Sequence, residues 1–317
     1  MPGPTATRSS LQRGPGSLVY DATLKIFSAE DINANIVIDT WRPKVSTHGE
    51  GAPRISDARG EITFTPTGRI TADLIAALFP AGFRNPVIGS RVFPAADKAL
   101  LIHGVDGVKH QFTSAALTKM PGLALSPRGT AFGEAAFTAL IGNGLARSAA
   151  GSFFTTPASA SWAETFSDAD IIAVPYAGVF GSTDIPTEEG WKVDFEVGME
   201  PVIVDGIGTL DYVLTGVTAR ATCRPSAMTA AALAAELRPE GLELGSSLRQ
   251  TKNLVITGLA GGLVVTLYDA AMTAGPAVWG TNASRAGEVT FEASRQLTGA
   301  APATTMGAVF EVSIAAA

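Results

Sequence analysis

The chain has one cysteine, Cys223, and three histidines, His48, His103 and His110, in 317 residues. A single thiol excludes an internal disulfide framework and a zinc site built on paired cysteines. Three scattered histidines leave little material for a Ser-His-Asp or Cys-His arrangement. His48 lies in a polar loop, and His103 and His110 read as ordinary strand positions. There is no G-x-S-x-G elbow, no P-loop and no H-E-x-x-H motif. No apolar run approaches the 18 residues of a membrane-spanning helix. The opening segment, residues 1–16, is rich in Pro, Gly and Ser and lacks the apolar stretch of a signal peptide. The expectation is therefore a soluble chain made in a cytoplasm. Charged residues are 16% of the chain and the net charge is −6. That excludes a protein that grips DNA through clustered Lys and Arg, though not one that DNA merely passes.

A hydrophobic content of 46% is enough for a buried core. The isolated candidates for chemistry each have a plainer reading. Glu164, Asp168 and Asp170 read as a solvated turn rather than a metal site. Asn282-Ala-Ser284 fits a glycosylation acceptor, but no secretion signal supports it. Trp41, Trp162, Trp191 and Trp279 read as core or subunit-contact residues rather than a sugar-stacking platform. Gly258-Leu-Ala-Gly-Gly262 lies between two expected strands, so it reads as a hairpin and not a phosphate cradle. No catalytic, cofactor-binding or metal-ligating residue is assigned, and the chain is not expected to be an enzyme.

What the sequence does have is an internal likeness. Lys98-Ala-Leu-Leu-Ile-His-Gly104 matches Lys252-Asn-Leu-Val-Ile-Thr-Gly258, and Gly133-Glu-Ala-Ala-Phe137 matches Gly287-Glu-Val-Thr-Phe291, both 154 residues apart (252 − 98 and 287 − 133). Further blocks pair Phe27–Ile32 with Phe180–Ile185, Glu61–Pro66 with Arg220–Pro225, and Gly89-Ser90 with Gly245-Ser246, in the same order. Their offsets of 153, 159 and 156 place a longer connection in the second half between the first two of these blocks. Its first-half counterpart, residues 42–60, reads as an extended loop or long hairpin.

Two copies of one module follow. Strands are expected at 35–41, 60–65, 99–102, 108–113 and 133–140, then at 193–197, 209–215, 218–223, 253–257, 263–268, 288–293 and 308–314. Residues 60–65 alternate, with Ile62 and Phe64 on one face. Glycines 104, 107, 258, 261 and 262 mark hairpin turns. Thr71, Asp73, Leu74 and Leu78 describe a capped helix, and residues 228–237 describe its Ala-rich counterpart. The expected fold is mainly β: a sandwich or part-open barrel with one flanking helix, written twice. The expected layout is a flexible arm at 1–17, one repeat at 18–150, a linker at 151–165 and a second repeat at 166–317. Phe153, Phe154 and Trp162 suggest that the linker lies against a surface.

The run from Gly206 to Pro225, followed by Ser-Ala-Met-Thr and a helix, resembles tail tube proteins of long, non-contractile-tailed phages. So does Asp57 to Gly68 with its helix. The resemblance implies a structural virion protein located in the tail. Its domains would form six-membered rings, built from three two-domain chains, which stack around a DNA channel. Implied partners are other copies of the chain, the tape measure, distal tail and terminator proteins, and genomic DNA that passes without specific binding. The arm and the 42–60 loop would then serve contacts between stacked rings. No cofactor or membrane is implied. The alternatives are another tail component of the same lineage, such as a distal tail or terminator protein, and a secreted two-domain carbohydrate-binding or hydrolytic β-protein.

Overall fold

The computed structural model describes residues 16–45, 47, 49–93, 98–104, 106–126, 129–140, 154–160, 174–204, 208–226, 252–258, 262–274, 277–279, 284–294 and 308–315. The chain is mainly β. Its first elements are β1 (Gly16–Tyr20), β2 (Leu24–Ser28), β3 (Asn33–Trp41), β4 (Lys44–Val45), β5 (Gly49–Glu50), β6 (Arg54–Phe64) and β7 (Pro66–Thr67). Two short helices follow, α1 (Ala72–Leu78) and α2 (Ala81–Arg84). Next come β8 (Leu100–Gly104), β9 (Lys109–Phe112), β10 (Ala115–Lys119), β11 (Leu123–Ser126), β12 (Gly129–Phe132), β13 (Ala135–Leu140) and β14 (Phe154–Thr155). The second half contains β15 (Tyr176–Phe180), β16 (Thr183–Ile185), β17 (Thr187–Val204), β18 (Gly208–Pro225), β19 (Leu254–Gly258) and β20 (Leu263–Leu267). It ends with β21 (Ala271–Ala274), β22 (Ala277–Trp279), β23 (Ser284–Ala286), β24 (Val289–Ser294) and β25 (Phe310–Ile314).

Four larger sheets result, with orders β14-β9-β8-β1-β2-β7, β10-β13-β6-β3, β12-β11-β17-β18-β24-β21 and β16-β15-β19-β20-β25. The pairs β4-β5 and β22-β23 form separate two-stranded sheets. Every pairing among the described strands is antiparallel, as short chain-adjacent hairpins favour.

The order of pairing in the first half recurs in the second. Tyr20 of β1 lies opposite Leu100 of β8, and Phe180 of β15 lies opposite Leu254 of β19. Ile62 of β6 lies opposite Phe137 of β13, and Ala221 of β18 lies opposite Phe291 of β24. The ladder between β10 and β13 is irregular at Leu117/Lys119, and that between β21 and β24 at Met272/Ala274.

This ladder corrects part of the sequence alignment. Phe27 and Phe180 do not correspond, because Phe27 is on β2 and Phe180 is on β15. Leu18 faces Ile26 while Gly178 faces Ile185, so the matching offset there is 159 (185 − 26) rather than 153. The long connections also prove equal in length. Asn33 pairs with Thr63 and Lys192 with Thr222, 30 residues apart in both cases (63 − 33 and 222 − 192). A short shared string in an Ala- and Gly-rich chain misled the comparison, whereas backbone hydrogen bonding leaves no such freedom. The expected strands at 209–215 and 218–223 are one continuous strand, β18. Gly198 pairs with Gly216 and Met199 with Leu214, so Thr215 is the extra residue of a bulge and the strand runs through it.

Local chemistry explains the first helix. The Thr71 hydroxyl accepts a hydrogen bond from the Leu74 amide at 3.2 Å, and Asp73 sits in the positive first turn. Its Leu74, Ile75 and Leu78 are buried. The counterpart expected at 228–237 lies outside the described residues.

One hydrophobic cluster draws on both halves, from Leu18, Ile62, Phe64 and Phe137 to Trp191, Phe195, Phe291 and Phe310. Phe195 and Phe310 pack with tilted rings at 4.6 Å between centroids, and Phe79 approaches Phe195 edge-on at 5.1 Å. Phe79, just past α1, thus packs against β17 and β25 of the other half. Each fully buried side chain of this size contributes about 1.5–3 kcal/mol. Of the proposed linker, Phe154 is described and packs against Phe112 and His110.

Candidate assembly interface

The most informative site is a seam between the halves. The β11–β12 hairpin leaves the first half and extends the sheet of the second. Leu123, Ala124 and Leu125 of β11 face Val193, Lys192 and Trp191 of β17. Leu123 and Leu125 are buried while Ala124 is exposed, the alternation of a strand with one covered face. Gly190 makes the approach possible. Its φ is +95°, and a Cβ there would sit 2.1 Å from the Leu125 carbonyl oxygen. Only glycine combines that backbone with so close a neighbour.

Polar contacts join the halves a second time, at the β17–β18 hairpin end of the sheet and away from β11. Asp211 is fully buried, and its carboxylate accepts from the Phe93 amide at 3.0 Å, the Tyr212 amide at 2.7 Å and the Arg91 guanidinium. Asp57 accepts from the Thr209 amide at 3.1 Å and hydroxyl at 2.7 Å. A buried carboxylate without such donors would be costly, so these contacts order the loops around them.

The other halves of these sheets are less covered. The edge strand β3 has no neighbour on its outer side among the described strands. Eight of its nine residues are exposed, including Ile36 and Ile38. Trp41 is 51% exposed and Ile55, across the hairpin, 61% exposed. Exposed β-branched and aromatic residues on an open strand edge are a pairing hazard in a monomer and a contact surface in an assembly. Ile203, 68% exposed, gives the β17–β18 hairpin a similar apolar end.

No family model matches this chain, and no curated protein matches it.

The residues singled out in the sequence are dispersed. His103 is buried in β8 with its Nε2 3.2 Å from the Ala160 carbonyl. His110 follows Lys109, the residue opposite His103, on the neighbouring strand β9, but faces the other side of the sheet and stacks on Phe154. Trp191 is buried in the core and Trp41 is exposed on β3, while Trp279 belongs to β22. His48, Trp162, Glu164, Asp168, Asp170 and Asn282 lie outside the described residues. Among the described residues no three His, Cys, Asp or Glu side chains are grouped as metal ligands would be. No described helix is long and apolar enough to cross a membrane.

An open cleft of about 660 Å³ lies against the seam, lined by residues including Lys119, Glu134, Glu189, Trp191, Cys223 and Arg224. Burial, with a smaller contribution from Glu288, pushes the Cys223 thiol above its ordinary 9.0. Burial likewise pushes Tyr20 up to about 12. A raised acid pKa means that the folded state keeps a proton which the unfolded chain loses. Stability from these two groups is therefore present at neutral pH and declines as pH rises above about 9. Cys223 is expected to resist a thiol reagent at pH 8 in the native protein and to react at once in denaturant, which a chromogenic disulfide titration would record.

Apart from two-residue pieces, the sequence missed β1, β2, β10, β11, β12, β15, β16, β21, β22 and β23 as strands. For β11 a signal was available: Leu123 and Leu125 alternate with Ala124 and are followed by Ser126-Pro127-Arg128-Gly129, a turn-forming run.

Proposed function

We propose that this chain is a structural subunit of a phage tail tube, not an enzyme. Its two halves are two copies of one tail-tube-like sandwich module, and three chains form a pseudo-sixfold ring. Rings stack around a channel through which DNA passes. One observation carries this reading: the pairing order recurs in both halves, and a hairpin of one half completes the sheet of the other. A module built this way satisfies an edge of its neighbour. The same contact, repeated between chains, generates a closed ring or an open helical stack, depending on its rotation.

The remaining features agree with that role. The exposed apolar residues of β3 and β6 suit burial between subunits. A net charge of −6 suits a conduit that DNA must traverse without adhering. The segment 42–60, read from sequence as an extended loop or long hairpin, belongs to the β3–β6 hairpin with the small β4–β5 pair near its end. It is the candidate for contacts between stacked rings, together with the N-terminal arm.

Electron microscopy of the purified protein tests the assignment. The expected images are hollow rings or tubes with pseudo-sixfold features and three chains per ring. A single ring at one end of the parent tail would identify a distal or terminator component instead. A monodisperse monomer at high concentration, under all conditions tried, would rule out the tube.

A further inference from the structure

We infer that the β22–β23 hairpin docks on the open edge of β3 in a second copy of this chain, extending that sheet as β11–β12 extends the sheet of β17. This rests on the ring-forming role proposed above and names the contact that closes the ring.

The two hairpins correspond residue for residue. Leu123, Ala124 and Leu125 pair with Phe132, Ala131 and Thr130. Ala277, Val278 and Trp279 pair with Ala286, Arg285 and Ser284. All six positions are shifted by the same 154 residues (277 − 123, 286 − 132). Yet their surroundings differ. The first hairpin lies on β17, whereas the second pairs with no other described strand.

The surface it lacks is also present. In the pairing order β17 occupies the place of β3: Val193 lies opposite Ala221 and Ala34 opposite Ile62. Those partners in turn face Phe291 and Phe137. Val193, beside Leu123 of the first hairpin, is fully buried, but Ala34 is exposed. The sheet of β17 thus has six strands and that of β3 has four, a difference of one hairpin. Among the described strands, this free hairpin and the uncovered edge of β3 are complementary between copies. The contact is head-to-tail, so it propagates until rotation closes it. The backbone ladder supplies the attraction, as in other strand additions.

Carrying over the internal register predicts the partners: Ala277 beside Ala34, Val278 beside Asn33 and Trp279 beside Ile32. Directly opposed antiparallel residues lie roughly 4.5–5.5 Å apart at Cα, within disulfide reach. The test uses the full chain carrying Val278→Cys and Asn33→Cys, oxidised and run on a non-reducing gel with light scattering. Covalent multimers ending at a closed trimer are expected. Each single substitution should give no such series, and neither should the off-register pair Val278→Cys with Ile36→Cys. A second variant, Val278→Pro, removes a ladder amide from a hairpin that pairs with no other described strand. It should keep the monomer's circular dichroism while cutting the assembled mass roughly threefold.

Rings or tubes that form without the cross-link, or that persist at full mass in Val278→Pro, would overturn the docking and leave the tube assignment standing. An intramolecular cross-link, seen as a fast-migrating monomer, would also overturn it. Absence of both cross-link and oligomer in the otherwise native chain would overturn both proposals.

Discussion

Gly190→Ala is expected to destabilise the fold by roughly 2–4 kcal/mol, of which about 1–3 reflects a side chain forced into left-handed backbone. The rest comes from the clash with the Leu125 carbonyl oxygen and with Ser126 Cα, 2.9 Å from the added methyl. Neither obstacle is a flexible side-chain tip, so the hairpin itself must shift away from β17. Urea unfolding followed by tryptophan fluorescence would show the loss, because Trp191 lies directly beside the seam. Gly216→Ala is the matched control. A Cβ at Gly216 meets nothing within 4 Å and its φ is not left-handed, so a change within about 0.5 kcal/mol is expected. Equal effects from the two substitutions would mean that the close approach at Gly190 does not hold the seam.

Phe310→Ala tests whether the two halves unfold together. Phe310 is fully buried and belongs to the second half, yet it packs with Phe79 of the first at 6.4 Å between centroids. Truncating such a residue costs about 3–5 kcal/mol through lost transfer energy and the cavity left behind. With one hydrophobic cluster shared by both halves, the wild-type protein should melt in a single transition. The variant should shift that whole transition downward. Two transitions in calorimetry, only one of them moved by the substitution, would show that the halves are independent.

The sequence was most informative where side-chain pattern and backbone agree locally. The alternation of Ile62 and Phe64, the cap at Thr71, and the matched blocks at 98–104 and 252–258 all lie in the elements expected of them. These features depend on residues within a few positions of each other. The mainly β class follows from them, since several short alternating runs separated by glycine turns leave little else to form.

Tertiary structure alone decided how these elements are joined. Sequence comparison placed Phe27 with Phe180 because a few letters coincide, but the hydrogen-bonded ladder sets the correspondence six residues away. It read β18 as two strands because nothing in the letters around Gly216 says that a bulge will absorb Thr215. Nor could it find the seam. Leu123 and Leu125 look like any buried strand residues, and that they lie on β17 rather than on their own half is a matter of where two distant edges meet. Strand edges present the same amide and carbonyl groups whatever their side chains, so partner choice is written in geometry and burial more than in residue identity.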